Sequence, residues 1–159
     1  MAFYPMNFIS LPMIIPFDDA YFMRQALIEA EKAFHEGEVP VGAVVVANQQ
    51  IIGRGHNLTE KLQDVTAHAE IQAITAAAIH IGAKYLKDCT LYVTLEPCCM
   101  CAGALYWSQV SKICFGARDE KRGATNFSPS LFHKTTVFET GIAADECSEL
   151  IRRFFEQKR

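Results

Sequence analysis

The feature that most constrains this chain is a strand-to-helix junction carrying two cysteines on one face. Thr90-Leu91-Tyr92-Val93-Thr94-Leu95 is apolar and β-rich. Pro97-Cys98-Cys99-Met100-Cys101 follows it and opens Ala102 to Trp107, which reads as helix. Cys98 and Cys101 stand at i and i+3 in the first turn, so their side chains converge near the helix N-terminus. That end carries partial positive charge and unpaired N–H groups, which favour thiolate over thiol. Cys99 stands at i, i+2 to Cys101 and points away. Three readings are compatible with the pair alone: a metal site, a thioredoxin-like redox pair, or two buried structural thiols.

Length and composition narrow the surroundings. A chain of 159 residues, half of them hydrophobic, can bury a core as one domain. The net charge of −3 argues mildly against a generic nucleic-acid binder. The six cysteines do not suit a small disulfide framework, and several lie in apolar runs. A reducing compartment, the cytoplasm, is therefore expected. Residues 1–17 are apolar but lack Lys and Arg and are broken by Pro5, Pro12 and Pro16. They read as an irregular extension rather than a signal peptide. No apolar run is long enough to span a membrane.

The remaining elements follow from periodicity. Asp18 and Asp19 can cap a helix whose stripe is Phe22, Met23, Ala26, Leu27, Ala30, Ala33 and Phe34, ending at Gly37. Val41 to Val46 reads as a buried strand. Asn48-Gln49-Gln50 turns the chain into an antiparallel partner, Ile51 to Asn57. Leu58 to Val65 reads as a polar loop. Thr66 can cap a small-residue, buried helix that runs to about Ile81. The strand Cys89–Leu95, the cysteine helix Cys98–Ser108 and a strand from Ser111 to Phe115 come next. A charged loop, Arg118 to Gly123, precedes an irregular stretch, Thr125 to Thr135. Val137-Phe138-Glu139 is a short strand. A last helix starts at Asp145, with Cys147, Leu150, Ile151, Phe154 and Phe155 inside. Strands mixed with crossover helices imply an α/β sheet covered on both faces, with a site at the ends of the later strands.

The cysteine turn has a candidate partner in Thr66-Ala67-His68-Ala69-Glu70. A helical His taken alone is more often packed or solvated, and a Glu there more often caps a helix. Together they offer a third ligand and an acid. Two thiolates and one imidazole leave a tetrahedral zinc one ligand short, the mark of a catalytic site with water in the open position. A carboxylate that is not a ligand, Glu70, can then move protons between that water and a leaving group.

His68-Ala69-Glu70 with Glu96-Pro97-Cys98-Cys99-Met100-Cys101 resembles the zinc-dependent cytidine deaminase superfamily. The two halves together displace the redox and buried-thiol readings. The longer runs Thr66 to Ile71, Thr90 to Cys98 and Met100 to Leu105 resemble the bacterial tRNA-specific adenosine deaminases of the TadA type. So do Val39 to Ala43, Gly55-His56-Asn57, Phe115-Gly116-Ala117 and the tail from Ala144 to Phe155. The likeness runs from about Asp19 to Arg159. It implies a three-layer α/β/α cytidine-deaminase-like fold with a central mixed five-stranded sheet over residues 18–159. It also implies one zinc per chain on His68, Cys98 and Cys101, with Glu70 as the catalytic proton shuttle. Asn57 and the Ala69 N–H would bind the base. The implied reaction is adenosine to inosine at the wobble position of a tRNA anticodon, by zinc-bound hydroxide. The implied partners are an arginine tRNA with anticodon ACG and a second copy in a homodimer. One departure stands out: Thr125-Asn126-Phe127 follows Gly123-Ala124 where the family has Gly-Ser. Rival functions are a deaminase of a free base or nucleoside (guanine, cytosine or cytidine) and an inactive zinc-stabilised binding subunit. A basic tail, Arg152, Arg153, Lys158 and Arg159 near Phe154 and Phe155, favours a nucleic-acid strand as substrate, although it also reads as a solvated helix end.

Overall fold

The computed structural model describes residues 17–159; the extension predicted for 1–17 lies, but for Phe17, outside the described residues. The elements are α1 (Asp19–His35), β1 (Gly42–Ala47), β2 (Gln50–His56), α2 (Thr59–Leu62), α3 (Ala69–Ile81), β3 (Thr90–Leu95), α4 (Cys99–Ser108), β4 (Lys112–Ala117), β5 (Val137–Thr140) and α5 (Ala144–Gln157). The strands form one five-stranded sheet in the order β2-β1-β3-β4-β5. β1 is antiparallel to both β2 and β3, whereas β3, β4 and β5 run parallel. This is the mixed sheet expected.

Alternation along each strand separates the two cores. Val44 and Val46 of β1, Tyr92 of β3 and Cys114 of β4 face α1 and α5, meeting Phe22, Met23, Ala26 and Cys147. Ala43 and Val45, Leu91 and Val93, and Ile113 and Phe115 face α3 and α4, meeting Ala73, Ala77, Ala102 and Leu105. The result is three layers. Parallel pairing of β3 with β4 needs a crossover, and α4 supplies it. The β1–β2 hairpin needs only Asn48 and Gln49, both in the left-handed region at φ 49° and 63°.

Helix α3 lies unusually close to β2 because β2 presents glycine to it. A Cβ on Gly55 would lie 2.4 Å from the Ala69 carbonyl oxygen, and one on Gly53 2.3 Å from that of Ala73. The alanines at i, i+4 and i+8, Ala69, Ala73 and Ala77, complete the contact.

Several local expectations differ. Thr66 does not cap α3: its amide and hydroxyl both donate to the Asp64 carboxylate, at 2.8 and 2.7 Å. That local turn outcompetes capping, and His68 takes the N-cap position instead. The loop Leu58–Val65 contains the one-turn helix α2. Helix α3 is buried on one face only, with Ile79 exposed. The stretch Thr125–Thr135 holds two short 3-10 turns, Ala124–Asn126 and Pro129–Leu131. Phe155, expected inside, is 48% exposed, because Phe154 is the residue of that pair that packs on Phe34. Among the described residues no helix is long and apolar enough to cross a membrane.

Candidate metal centre and active site

Two helix starts meet at one point. His68 is the N-cap of α3 and Cys98 the N-cap of α4. Both have extended backbone, and neither side chain makes a capping hydrogen bond. The Asp64 turn delivers the chain to His68: Ala67 N–H donates to the Asp64 carbonyl at 3.1 Å and His68 N–H to that of Thr66 at 2.7 Å. Pro97 stands just before Cys98 and drives Glu96, the residue ahead of it, to extended geometry, so the helix starts only beyond this point. Cys101 follows in the first turn of α4 and is fully buried.

The three donor atoms converge. His68 Nδ1 lies 3.7 Å from Cys98 Sγ and 3.5 Å from Cys101 Sγ. All three lie within 4.8 Å of one another. A tetrahedral zinc with ordinary Zn–S and Zn–N bonds separates a nitrogen from a sulfur ligand by roughly 3.6 Å. The donor set therefore fits zinc in both kind and spacing, with one tetrahedral position left to a ligand from outside the chain.

Electrostatics reinforce the fit. The Cys101 thiol beside Cys98, with His68 next to it, holds the Cys98 thiol down at about 4. Cys101 is pushed up, first by the Cys98 sulfur and then by burial. His68 is raised, chiefly by its hydrogen bond to Cys98. A divalent cation held there would take both sulfurs as thiolates and release their protons.

Glu70 stands in the first turn of α3, two residues past His68 and 3% exposed. Burial is the main cause that pushes its carboxyl up to about 7. Among the described residues it makes no ion pair with Lys, Arg or His side chains. A carboxyl poised near neutrality beside a metal donor set suits a group that takes and returns protons.

Asn57 directly follows β2 at the end of the hairpin. Its N–H donates to the Val41 carbonyl at 3.1 Å, and Leu58 N–H donates to the Ala67 carbonyl at 3.0 Å. The second bond ties the Asn57 segment to the residue before His68. Asn57 Oδ1 accepts from Thr59 N–H at 3.4 Å. Ala69, whose N–H was expected to face the base, is the first residue of α3 and is fully buried.

Three of the four cations of the predicted basic tail are occupied within the chain. Arg152 pairs with Glu149 and Glu156. Arg153 lies over the Phe34 ring, and Lys158 over that of Phe154. Sequence reasoning gives no role to three buried carboxylates, Glu29, Glu38 and Glu96, of which Glu29 pairs with Lys32 of its own helix. Glu38 accepts from Thr59 Oγ1, Glu60 N–H and Lys61 N–H, at 3.3, 3.2 and 2.8 Å. Glu96 fastens the loop beside Cys98. The one available signal is an acidic residue ending an apolar strand in Thr94-Leu95-Glu96-Pro97.

Comparison with known proteins agrees with this geometry. The family model of the MafB19-like deaminases matches residues 17–159. A tRNA-specific adenosine deaminase of Aquifex aeolicus is 46% identical over 145 residues, covering 87% of this chain and 95% of that protein. One from Bacillus subtilis is 43% identical, covering 89% and 91%. Among solved structures, one from studies of A-to-I editing by tRNA:A34 deaminases superposes with a TM-score of 0.76 at 41% identity, covering 82% of this chain and 98% of that one. A guanine deaminase of Nitrosomonas europaea also reaches 0.76, at 25% identity and with 86% and 84% covered. With its donor triad, buried glutamate and mixed sheet, the chain belongs to the family of the MafB19-like deaminase model and to that of the tRNA-specific adenosine deaminases.

Proposed function

We propose that this protein hydrolyses adenosine to inosine at the wobble position of a tRNA anticodon, in an arginine tRNA with anticodon ACG. The observation that carries the reading is the His68–Cys98–Cys101 donor set beside the buried Glu70, in a chain 46% identical to a tRNA-specific adenosine deaminase. Zinc, when bound by those donors, supplies a Lewis acid that brings a water's pKa towards neutrality. Glu70 would take one proton from that water and deliver it to the purine ring nitrogen as the hydroxyl adds at C6, then carry the second proton, from the new hydroxyl, to the departing amine. Water and adenosine in, inosine and ammonia out, is the balance. Asn57 has an amide that can donate to and accept from the purine edge, and the Ala69 N–H is a second donor at the start of α3. An anticodon loop suits such a site because its base can be splayed out at little unstacking cost.

The same reading includes a homodimer and a cytoplasmic setting. Helix α4 buries Cys101, Ala102, Leu105 and Ser108 but leaves Trp107 76% exposed and Tyr106 partly so. A symmetric partner would cover that face. All six cysteines are free, in keeping with a reducing compartment.

One observation favours a second reading: a guanine deaminase superposes as well as the tRNA-editing structure does. The deciding experiment compares the ACG anticodon stem-loop with free adenosine, cytidine and guanine, measuring ammonia release and inosine formation. Turnover of the stem-loop alone supports the tRNA reading. Turnover of guanine or cytidine without the stem-loop replaces it.

A further inference from the structure

Glu96 stands between the last residue of β3 and Pro97, and its side chain is wholly inaccessible. One oxygen accepts from Thr125 N–H at 3.1 Å and from the Thr125 hydroxyl at 2.5 Å. The other accepts from Asp119 N–H at 3.1 Å and lies 4.0 Å from Arg118 Nε. One carboxylate therefore holds both ends of a single loop. The loop closes on itself as well. Gly123 N–H and Asn126 Nδ2 both donate to the Asp119 carbonyl, at 3.0 and 2.8 Å. The Asp119 carboxylate accepts from Lys121 and Arg122 N–H. The ring sits against the metal-ligand turn: Ala124 N–H donates to the Pro97 carbonyl at 2.9 Å, and Gly123 bridges Cys98. Only glycine fits there, since a Cβ on Gly123 would lie 2.3 Å from Glu96 Cδ.

The outer rim of the ring differs from its inside. Arg118, Lys121 and Arg122 are exposed, and Phe127, at the ring's end, is 65% exposed. Cations beside an exposed aromatic ring are what a single strand needs: charge for its phosphates and a face for a base. Unlike the tail cations, these stand within a few residues of Gly123, which touches Cys98. We propose that Glu96 is a positioning residue for a polynucleotide substrate, holding the rim from Arg118 to Phe127 against the Cys98 turn so that it grips the strand flanking the target base. This rests on the tRNA reading above. The Thr125 hydroxyl is a further donor to Glu96 beside the Thr125 N–H.

The chemistry requires a carboxylate, because both oxygens accept. A glutamine would turn an N–H towards either Thr125 or Asp119 and free one end of the loop. The test uses the zinc-loaded full chain and two variants, Glu96→Gln and the milder Thr125→Val, which removes only the hydroxyl. Amide exchange at Asp119 and Thr125 should quicken by about 10- to 100-fold in the first and about 2- to 10-fold in the second. KM for the anticodon stem-loop should rise over the same ranges while kcat and zinc content stay at wild-type levels. The salt dependence of stem-loop binding should flatten by roughly 0.7 in the log–log slope for each phosphate that the loosened rim no longer neutralises. Unchanged exchange and KM in both variants would overturn the proposal. So would a fall in kcat at constant KM, which would make Glu96 a support for Cys98 alone. If Glu96→Gln does not fold, Thr125→Val decides. If wild-type protein does not act on the stem-loop, the tRNA reading falls and the strand role with it, while amide exchange still reports whether Glu96 holds the loop.

Discussion

Replacing Gly55 with alanine should cost this protein both stability and rate. Intrinsic propensity points the other way, since alanine in a strand is favoured over glycine by about 0.5–1 kcal/mol. The packing reverses that sign. The added Cβ would lie 2.4 Å from the Ala69 oxygen, 2.6 Å from Ala73 N and 2.6 Å from Gln72 Cβ, whereas ordinary contact begins at 3.4 Å. Two of these atoms are backbone, so no rotamer change relieves the clash, and α3 must retreat from β2 by about 1 Å. Overpacking of that kind costs about 1–3 kcal/mol. For a chain of this length each kcal/mol lowers the melting temperature by about 2–4 °C. The retreat carries Ala69 and Glu70 with it, because they form the first turn of α3, while Cys98 and Cys101 stay on α4. A catalytic group displaced by about 1 Å loses on the order of 100-fold in rate. Thermal melting, zinc analysis and ammonia release on the stem-loop measure the effects separately. A variant with unchanged melting temperature and rate would refute the packing argument. One that melts early but works at the wild-type rate would show that the seat of α3 on β2 does not position Glu70.

Glu70→Gln should keep its zinc and its fold, because the residue is not among the donors, and lose at least about 10²–10⁴-fold in turnover. Removing zinc with a chelator should lower the melting temperature, since a ligand bound only by the folded state stabilises it. An identical melt with and without chelator would argue against a metal held by His68, Cys98 and Cys101. Tyr92→Phe removes the hydroxyl that donates to Asp19 at 2.6 Å, and should cost about 1.5–3 kcal/mol at neutral pH, as for a bond to a charged group. Burial pushes the Asp19 carboxyl up, but the Tyr92 hydroxyl and Lys112 outweigh it and hold it below its ordinary 3.8. A depressed carboxyl contributes stability above its unfolded pKa and loses it as pH falls through the folded value. The gap between wild type and Tyr92→Phe should therefore narrow as pH drops below about 4, and urea midpoints across that range check it.

How much of this is legible in the sequence depends on the range of the interaction. The layers are readable because β1, β3 and β4 alternate between two helical faces, and because α1 carries a clean apolar stripe. The donor set is readable because Cys98 and Cys101 share one helical turn, and because His68-Ala69-Glu70 repeats the logic at a second helix start. The cap of α3 is misread because Asp64, two residues before Thr66, competes for the same hydroxyl and amide. Phe155 is misplaced because helical periodicity alone does not decide between adjacent rings when one of them, Phe154, finds a partner on α1. Glu38 and Glu96 cannot be read from spacing at all. Most of their partners are backbone N–H groups of distant loops, and a backbone donor leaves no trace in residue identity.

Trp107 is the only tryptophan in the chain, and it projects from the end of α4 into solvent. The protein thus carries a single intrinsic indole fluorophore on the face where a second copy is expected. In an isolated chain its emission is that of a wet indole. Once covered, the indole leaves water, and its spectrum moves to shorter wavelength while a dissolved quencher loses access to it. Dilution followed by emission alone would then report the dissociation constant of the assembly, with no label attached.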